Sequence, residues 1–102
     1  INIPQISPES LPDTHPYLIL DVRESSEYDY VHIPGSLLLP LGELPRRYRE
    51  LPADRTFLCL CHHGIRSQRG AEFLAGKGFS VANLQGGIDR WSVKKDSSLP
   101  RY

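Results

Sequence analysis

Two stretches of this chain, Tyr17-Leu18-Ile19-Leu20-Asp21-Val22 and Phe57-Leu58-Cys59-Leu60, are apolar with almost no alternation. A strand with one wet face alternates apolar and polar residues. A solid run reads as a strand covered on both faces, which is the condition of a parallel sheet between helices. Parallel strands need long crossovers, and the segments between the runs supply them. Ser25 or Ser26 is placed to cap a short helix through Tyr28 and Tyr30. Residues 41–51 read as a helix with Pro45 near its start and Arg46, Arg47 and Arg49 exposed. Ser67 to Lys77 has the clearest helical pattern, with Ala71, Leu74 and Ala75 on one face and Gly76 and Gly78 at its end.

Shorter strands are expected at residues 1–6 as an edge, broken by Pro4, at 36–39 and within 79–84. Ser7-Pro8-Glu9-Ser10-Leu11 predicts one helical turn, Gly86-Gly87 leads into a last helix through Trp91, and 96–102 reads as a polar tail. The fold class that follows is α/β, a mainly parallel central sheet with helices on both faces. Ligands of such sheets bind beyond the carboxyl ends of the strands. Asp21 and Cys61 both stand at predicted carboxyl ends, so they are expected on one edge although 40 residues separate them.

Residues 61–67 read Cys-His-His-Gly-Ile-Arg-Ser. A cysteine that ends a buried strand and is followed by a glycine-bearing loop and a helix start is a device for making a thiolate. Loop N–H groups can converge on the sulfur, the positive end of the helix faces it, and Arg66 adds a charge that does not titrate away. The thiolate is the nucleophile, so the segment reads as a covalent-catalysis site. The alternative for any cysteine in an apolar segment is a small core residue. That reading suits Cys59, which has apolar neighbours on both sides. It suits Cys61 poorly, since Gly64 and Arg66 have no structural reason to accompany a core cysteine.

The chain has 102 residues, enough for one domain, 1–102, with a single core. Twelve basic residues balance twelve acidic ones. Nothing in that charge balance favours nucleic acid or an anionic membrane as a partner. No apolar run reaches membrane-span length, and no signal-peptide pattern opens the chain. The two cysteines, two apart on one strand, are badly placed to bridge each other, so a reducing, cytoplasmic compartment is the simpler reading. A chain that begins at Ile1 and contains no Met has the pattern of a piece excised from a longer one.

Four ordered segments together resemble the rhodanese family of sulfurtransferases. Asp21-Val22-Arg23-Glu24 with Glu27-Tyr28 resembles the family's D-x-R segment and the E-[FY] after it. His32-Ile33-Pro34-Gly35-Ser36 is similar to H-I-x-G-[AS], and Cys61 to Ser67 to the active-site loop C-x-x-G-x-R-S. Gly86-Gly87-Ile88-Asp89-Arg90-Trp91 is similar to the closing G-G-[IV]-x-x-W. The tail Asp96-Ser97-Ser98-Leu99-Pro100-Arg101-Tyr102 resembles an ending found where such modules are fused to enzymes that activate sulfur-carrier proteins. Two positions depart: Val31 stands where many members have glycine, and Glu27 lies near a position where tandem thiosulfate sulfurtransferases carry arginine.

The resemblance implies a rhodanese-like fold and a catalytic Cys61. Its thiolate takes the sulfane sulfur of a donor, thiosulfate or a persulfide, and the Cys61 persulfide passes that sulfur to a thiophilic acceptor. It implies a loop of His62, His63, Gly64, Ile65 and Arg66 whose amides hold the persulfide. Support would come from an Asp21–Arg23 ion pair, a structural His32, and Ser67 as the N-cap of the following helix. No cofactor and no metal are implied. The implied partners are a small-molecule sulfur donor and a sulfur-carrier protein or fused activating domain.

Three rival classes remain. Cysteine phosphatases and arsenate reductases use C-x5-R, a larger cup than the four residues between Cys61 and Arg66 enclose. A metal site on Cys59, Cys61, His62 and His63 would draw all its ligands from five consecutive positions, whereas structural zinc draws on separated pairs. The third rival is a rhodanese-like interaction module without catalysis.

Overall fold

The structure is a computed structural model and describes residues 2–102. Five strands form one sheet, in the order β1-β5-β4-β2-β3: β1 (Gln5–Ile6), β2 (Tyr17–Asp21), β3 (Leu37–Leu38), β4 (Thr56–Leu60) and β5 (Ser80–Leu84). Every pairing is parallel. The solid apolar runs become β2 and β4, next to each other in the interior, and the short strands β1 and β3 form the edges. Ile1, part of the expected edge segment, lies outside the described residues.

Helices cover both faces. The longest is α3 (Ile65–Gly76), which packs with the segment 41–50 over one face. The other face carries α4 (Gly87–Lys94) and a 3-10 turn at Pro8–Ser10. The pleat of β4 sorts its residues between the two cores. Phe57, Cys59 and Cys61 join Leu20, Val22, Leu44, Ala71 and Leu74 on the α3 side. Leu58 and Leu60 join Ile19, Leu84, Ile88 and Trp91 on the α4 side. Phe57, Leu58 and Leu60 are fully buried, and burial of each contributes about 1.5–3 kcal/mol.

Local details differ from expectation in three places. The first helix, α1 (Ser25–Tyr30), is capped by Glu24, and Ser25 is already helical. The Glu27 carboxylate reaches back to the Glu24 N–H at 3.0 Å, a capping-box arrangement. Residues 41–50 do not form one helix. They divide into a 3-10 turn at Leu41–Glu43, α2 (Leu44–Arg47) and a 3-10 turn at Tyr48–Glu50, with Pro45 in the first turn of α2. Ser67 is not a cap either. Gly64 is the N-cap of α3, so Ser67 sits inside the first turn with no exposed surface. The glycine is needed there because its φ of 102° lies in the left-handed region.

Register fixes the edge where the site forms. Asp21 pairs with Leu60, and the Val22 N–H donates to the Leu60 carbonyl at 2.9 Å. The two strands therefore end together, and Asp21 and Cys61 emerge on the same carboxyl edge, as strand polarity predicted.

Candidate active site

Cys61 follows the last residue of β4, and its residue surface is 1% exposed. Its Sγ accepts the Gly64 N–H at 3.0 Å and lies 3.3 Å from Ser67 Oγ. The N-terminal turn of α3 thus closes around the sulfur, and the positive end of a twelve-residue helix faces it. A cavity of about 290 Å³ opens in front, lined by Cys61, His62, His63, Ile65 and Arg66. Cys59 shares the sheet face but lies deeper, fully buried, and burial followed by its neighbour Cys61 pushes its thiol up to about 12. Only one of the two sulfurs therefore has both a cavity and a donor-lined loop.

The start of α4 holds the loop from behind. The N–H groups of Ile88 and Asp89 donate to the carbonyls of Cys61 at 2.8 Å and His62 at 3.2 Å. Gly87 makes this approach possible: a Cβ there would collide with both carbonyls, and its φ is 65°. The Gly-Gly pair is thus part of the site, although it begins 25 positions after Cys61 in the sequence.

Arg66 is placed differently from a free positive charge aimed at sulfur. Its guanidinium forms a two-pronged pair with Glu27, Nη1 to Oε1 at 2.7 Å and Nη2 to Oε2 at 2.9 Å. The fork geometry makes this a strong charge-assisted contact. Hydrogen bonding from Arg66, against the opposing effect of burial, lowers the Glu27 carboxyl to about 2. The reciprocal effect holds Arg66 above its ordinary value.

Tyr102 joins this pair to a second one. Its phenol donates to Glu27 Oε2 at 2.8 Å and accepts from Arg23 Nη1 at 2.8 Å. Arg23 and Asp21, both without exposed surface, form the buried ion pair expected from the sequence, with Nη2 at 2.6 Å from Oδ2. Arg23 also donates to the Val31 carbonyl at 2.7 Å, so Val31 binds the network through its backbone. Buried charges need this degree of pairing to be tolerated.

The Tyr102 ring stacks on His62 at 3.9 Å between centroids, and His62 stacks on His63 at the same spacing. Burial, then the proximity of His63, lowers the basicity of His62, whose Nε2 is buried without a hydrogen-bond partner. The rim of the cavity is therefore aromatic and its one arginine is paired. His32 is exposed and makes its contacts with Tyr28, a 2.9 Å hydrogen bond from ring Nδ1 to the backbone oxygen and a parallel stack. It is a satisfied histidine within its own turn.

Two residues escaped the sequence reading. Asn83 is 3% exposed on β5, where its side chain meets Ser67, Gln5 and the Gly64 carbonyl. A buried amide inside Ser80-Val81-Ala82-Asn83-Leu84 was the available signal, since such a group must find partners. Tyr102 belonged to a stretch read as a polar tail. That tail is pinned by Leu99 packed against the α4-side core, by Ser92 Oγ on the Leu99 carbonyl and by Arg101 on Asp89.

Comparison with known proteins agrees with this architecture. The profile of the rhodanese-like domain matches residues 9–94. A putative sulfur carrier protein of Bacillus subtilis, YrkF, is 39% identical over 100 residues, covering 93% of this chain and 54% of that protein. The chain therefore spans about half the length of that relative. A sulfurtransferase of Allochromatium vinosum is 36% identical over 85 residues, covering 82% of this chain and 79% of the relative. The crystal structure of a rhodanese-related protein from Thermoplasma volcanium superposes with a TM-score of 0.76 at 34% identity, over 78% of this chain and 80% of that one. With the profile covering β2 to β5, the cysteine loop and the Gly-Gly turn, this chain belongs to the rhodanese-like domain family.

Proposed function

We propose that this domain is a sulfurtransferase that carries sulfane sulfur on Cys61. The Cys61 thiolate attacks the outer sulfur of a donor, an S–S bond forms to Sγ, and the donor's former bond to that sulfur breaks with its electron pair leaving on the donor. The acceptor thiolate then attacks the terminal sulfur, and Cys61 leaves as thiolate. Negative charge resides on sulfur throughout, and the observation that carries the reading is the Gly64 N–H aimed at Sγ from 3.0 Å at a helix N-terminus. A preorganised donor of this kind acts as oxyanion-hole donors act on oxygen, and removal of one costs about 3 kcal/mol in the transition state.

The donor is a persulfide of low net charge rather than thiosulfate. The reason is electrostatic: the one guanidinium lining the cavity is already held by Glu27, so a dianion would enter without a free countercharge. The acceptor is protein-borne, a reading supported by the similarity to YrkF, a putative sulfur carrier protein, and by exposed Ile65 beside the cavity. The small loop, with four residues between Cys61 and Arg66, favours one added sulfur over a tetrahedral phosphate.

The test is intact-mass analysis after incubation with cysteine persulfide or thiosulfate, alongside an aryl phosphate assay. A cyanide-cleavable gain of one sulfur is expected in the wild type and in Cys59→Ser, and none in Cys61→Ser. Sulfur mapped to Cys59, or phosphate hydrolysis faster than persulfide formation, refutes the assignment.

A further inference from the structure

We propose that Ser67 and Asn83 form a one-proton switch on the Cys61 sulfur. The Ser67 hydroxyl is held by Asn83 at rest and turns to Sγ when charge appears there. The inference deepens the sulfur-transfer reading and rests on it for the steps that put charge on Sγ.

The argument starts from a shortage of protons. Ser67 Oγ lies 2.5 Å from Asn83 Oδ1 and 3.3 Å from Cys61 Sγ. A hydroxyl has one hydrogen, so it can donate to one of these at a time. The orientation of Asn83 is fixed by backbone. Its Nδ2 donates to the Gly64 carbonyl at 3.2 Å, an acceptor that cannot reverse its role. Nδ2 also meets Gln5 Oε1 at 2.9 Å, and the Gln5 amide is set in turn by its own donation to the Ile3 carbonyl at 3.2 Å. Oδ1 therefore faces Ser67 as a pure acceptor, and the short contact assigns the serine proton to it.

With the proton there, Oγ presents lone pairs to the sulfur. That suits a neutral thiol, whose S–H can donate to Oγ. It opposes a thiolate. When Sγ becomes anionic, as nucleophile in the first step or leaving group in the second, the hydroxyl rotates and donates to sulfur. Asn83 Oδ1 then loses its donor, and with Ser67 wholly buried and Asn83 3% exposed there is little room for solvent to replace it. When the charge moves out to the terminal sulfur of the persulfide, the proton returns to Asn83. The proton stays on serine throughout and only its acceptor changes. Ser67 touches the reacting atom, whereas Asn83 is a positioning residue that acts through it.

The remaining titratable groups around the sulfur are Cys59 on β4, His62 and His63 in the loop, Tyr102 stacked on His62, and Arg66 of α3 tied to Glu27 of α1. Asp89 of α4, tied to Arg101, stands beyond the histidines. None of them is changed by substitutions at 67 or 83.

The test is the pH profile of Cys61 alkylation by iodoacetamide, read by peptide mapping in the full chain. Ser67→Ala is expected to displace the profile to higher pH and slow alkylation at pH 7 by about tenfold, the surplus of a charge-assisted hydrogen bond to sulfur over the neutral one to Asn83 that it replaces. Asn83→Leu is expected to displace it the opposite way, by freeing the serine proton for sulfur. The Asn83→Leu displacement should vanish in a Ser67→Ala background. Displacements of the same sign, or none, overturn the proposal, because a merely structural role gives no opposition. If Asn83→Leu does not fold, Asn83→Asp replaces it. The carboxylate holds the serine proton more firmly, so its displacement to higher pH should be larger with Ser67 present than in Ser67→Ala, and equal displacements overturn the switch. Alkylation needs no sulfur donor, so failure of the switch and failure of the transferase reading are separately visible.

Discussion

Replacing Glu27 by Gln removes one charge and keeps the shape of the side chain, and it weakens the ion pair with Arg66 together with the hydrogen bonds from Tyr102 and the Glu24 N–H. The pair holds the Glu27 carboxyl near 2 against an ordinary 4.5. A depressed carboxyl stabilises the fold above its unfolded value, and the contribution is lost as pH falls through 4.5 toward 2. At about 1.36 kcal/mol per unit, the shift corresponds to about 3 kcal/mol at pH 7 and about 2 kcal/mol at pH 3.5. Arg66 is 35% exposed and Glu27 20%, so solvent screening reduces the effect, and about 1–3 kcal/mol is expected at neutral pH. The assay is urea unfolding of wild type and Glu27→Gln at matched pH values, reported as the difference between the two proteins. Other carboxylates titrate in both and cancel. The difference should be largest near pH 7 and shrink on acidification. A difference that is flat with pH, or that grows toward acid, refutes the linkage. The same variant frees Arg66 toward the cavity, so thiosulfate, a dianion, should gain ground against cysteine persulfide as sulfur donor.

Gly87→Ala places a methyl against the carbonyls of Cys61 and His62 at positive φ, and should destabilise the protein by about 2 kcal/mol or more, read by thermal unfolding, with loss of Cys61 reactivity. Tyr102→Phe deletes the phenol that bridges Arg23 and Glu27 and should cost about 1–2 kcal/mol in urea unfolding, while the ring still stacks on His62.

The sequence by itself determined the layered α/β architecture. Solid apolar runs at 17–22 and 57–60 with crossover-length segments between them read as strands covered on both faces of a parallel sheet, and strand polarity then brings Asp21 and Cys61 to one edge. The cysteine loop was legible for the same local reason: a cysteine, a glycine and a helix start within seven residues are a short-range device. Helix ends were less legible, since Glu24 and Gly64 took the caps from the nearby serines. Tertiary structure alone decided how the site is charged. Arg66 meets a carboxylate 39 positions away, Tyr102 reaches Glu27 across 75, and Ser67 finds Asn83 across 16. Such partners are chosen by where strands and helices come to lie. Residue type announced that a buried arginine, amide or hydroxyl needs a partner, and only the packed fold could say which one, because satisfaction of buried polar groups depends on distance in space and not along the chain.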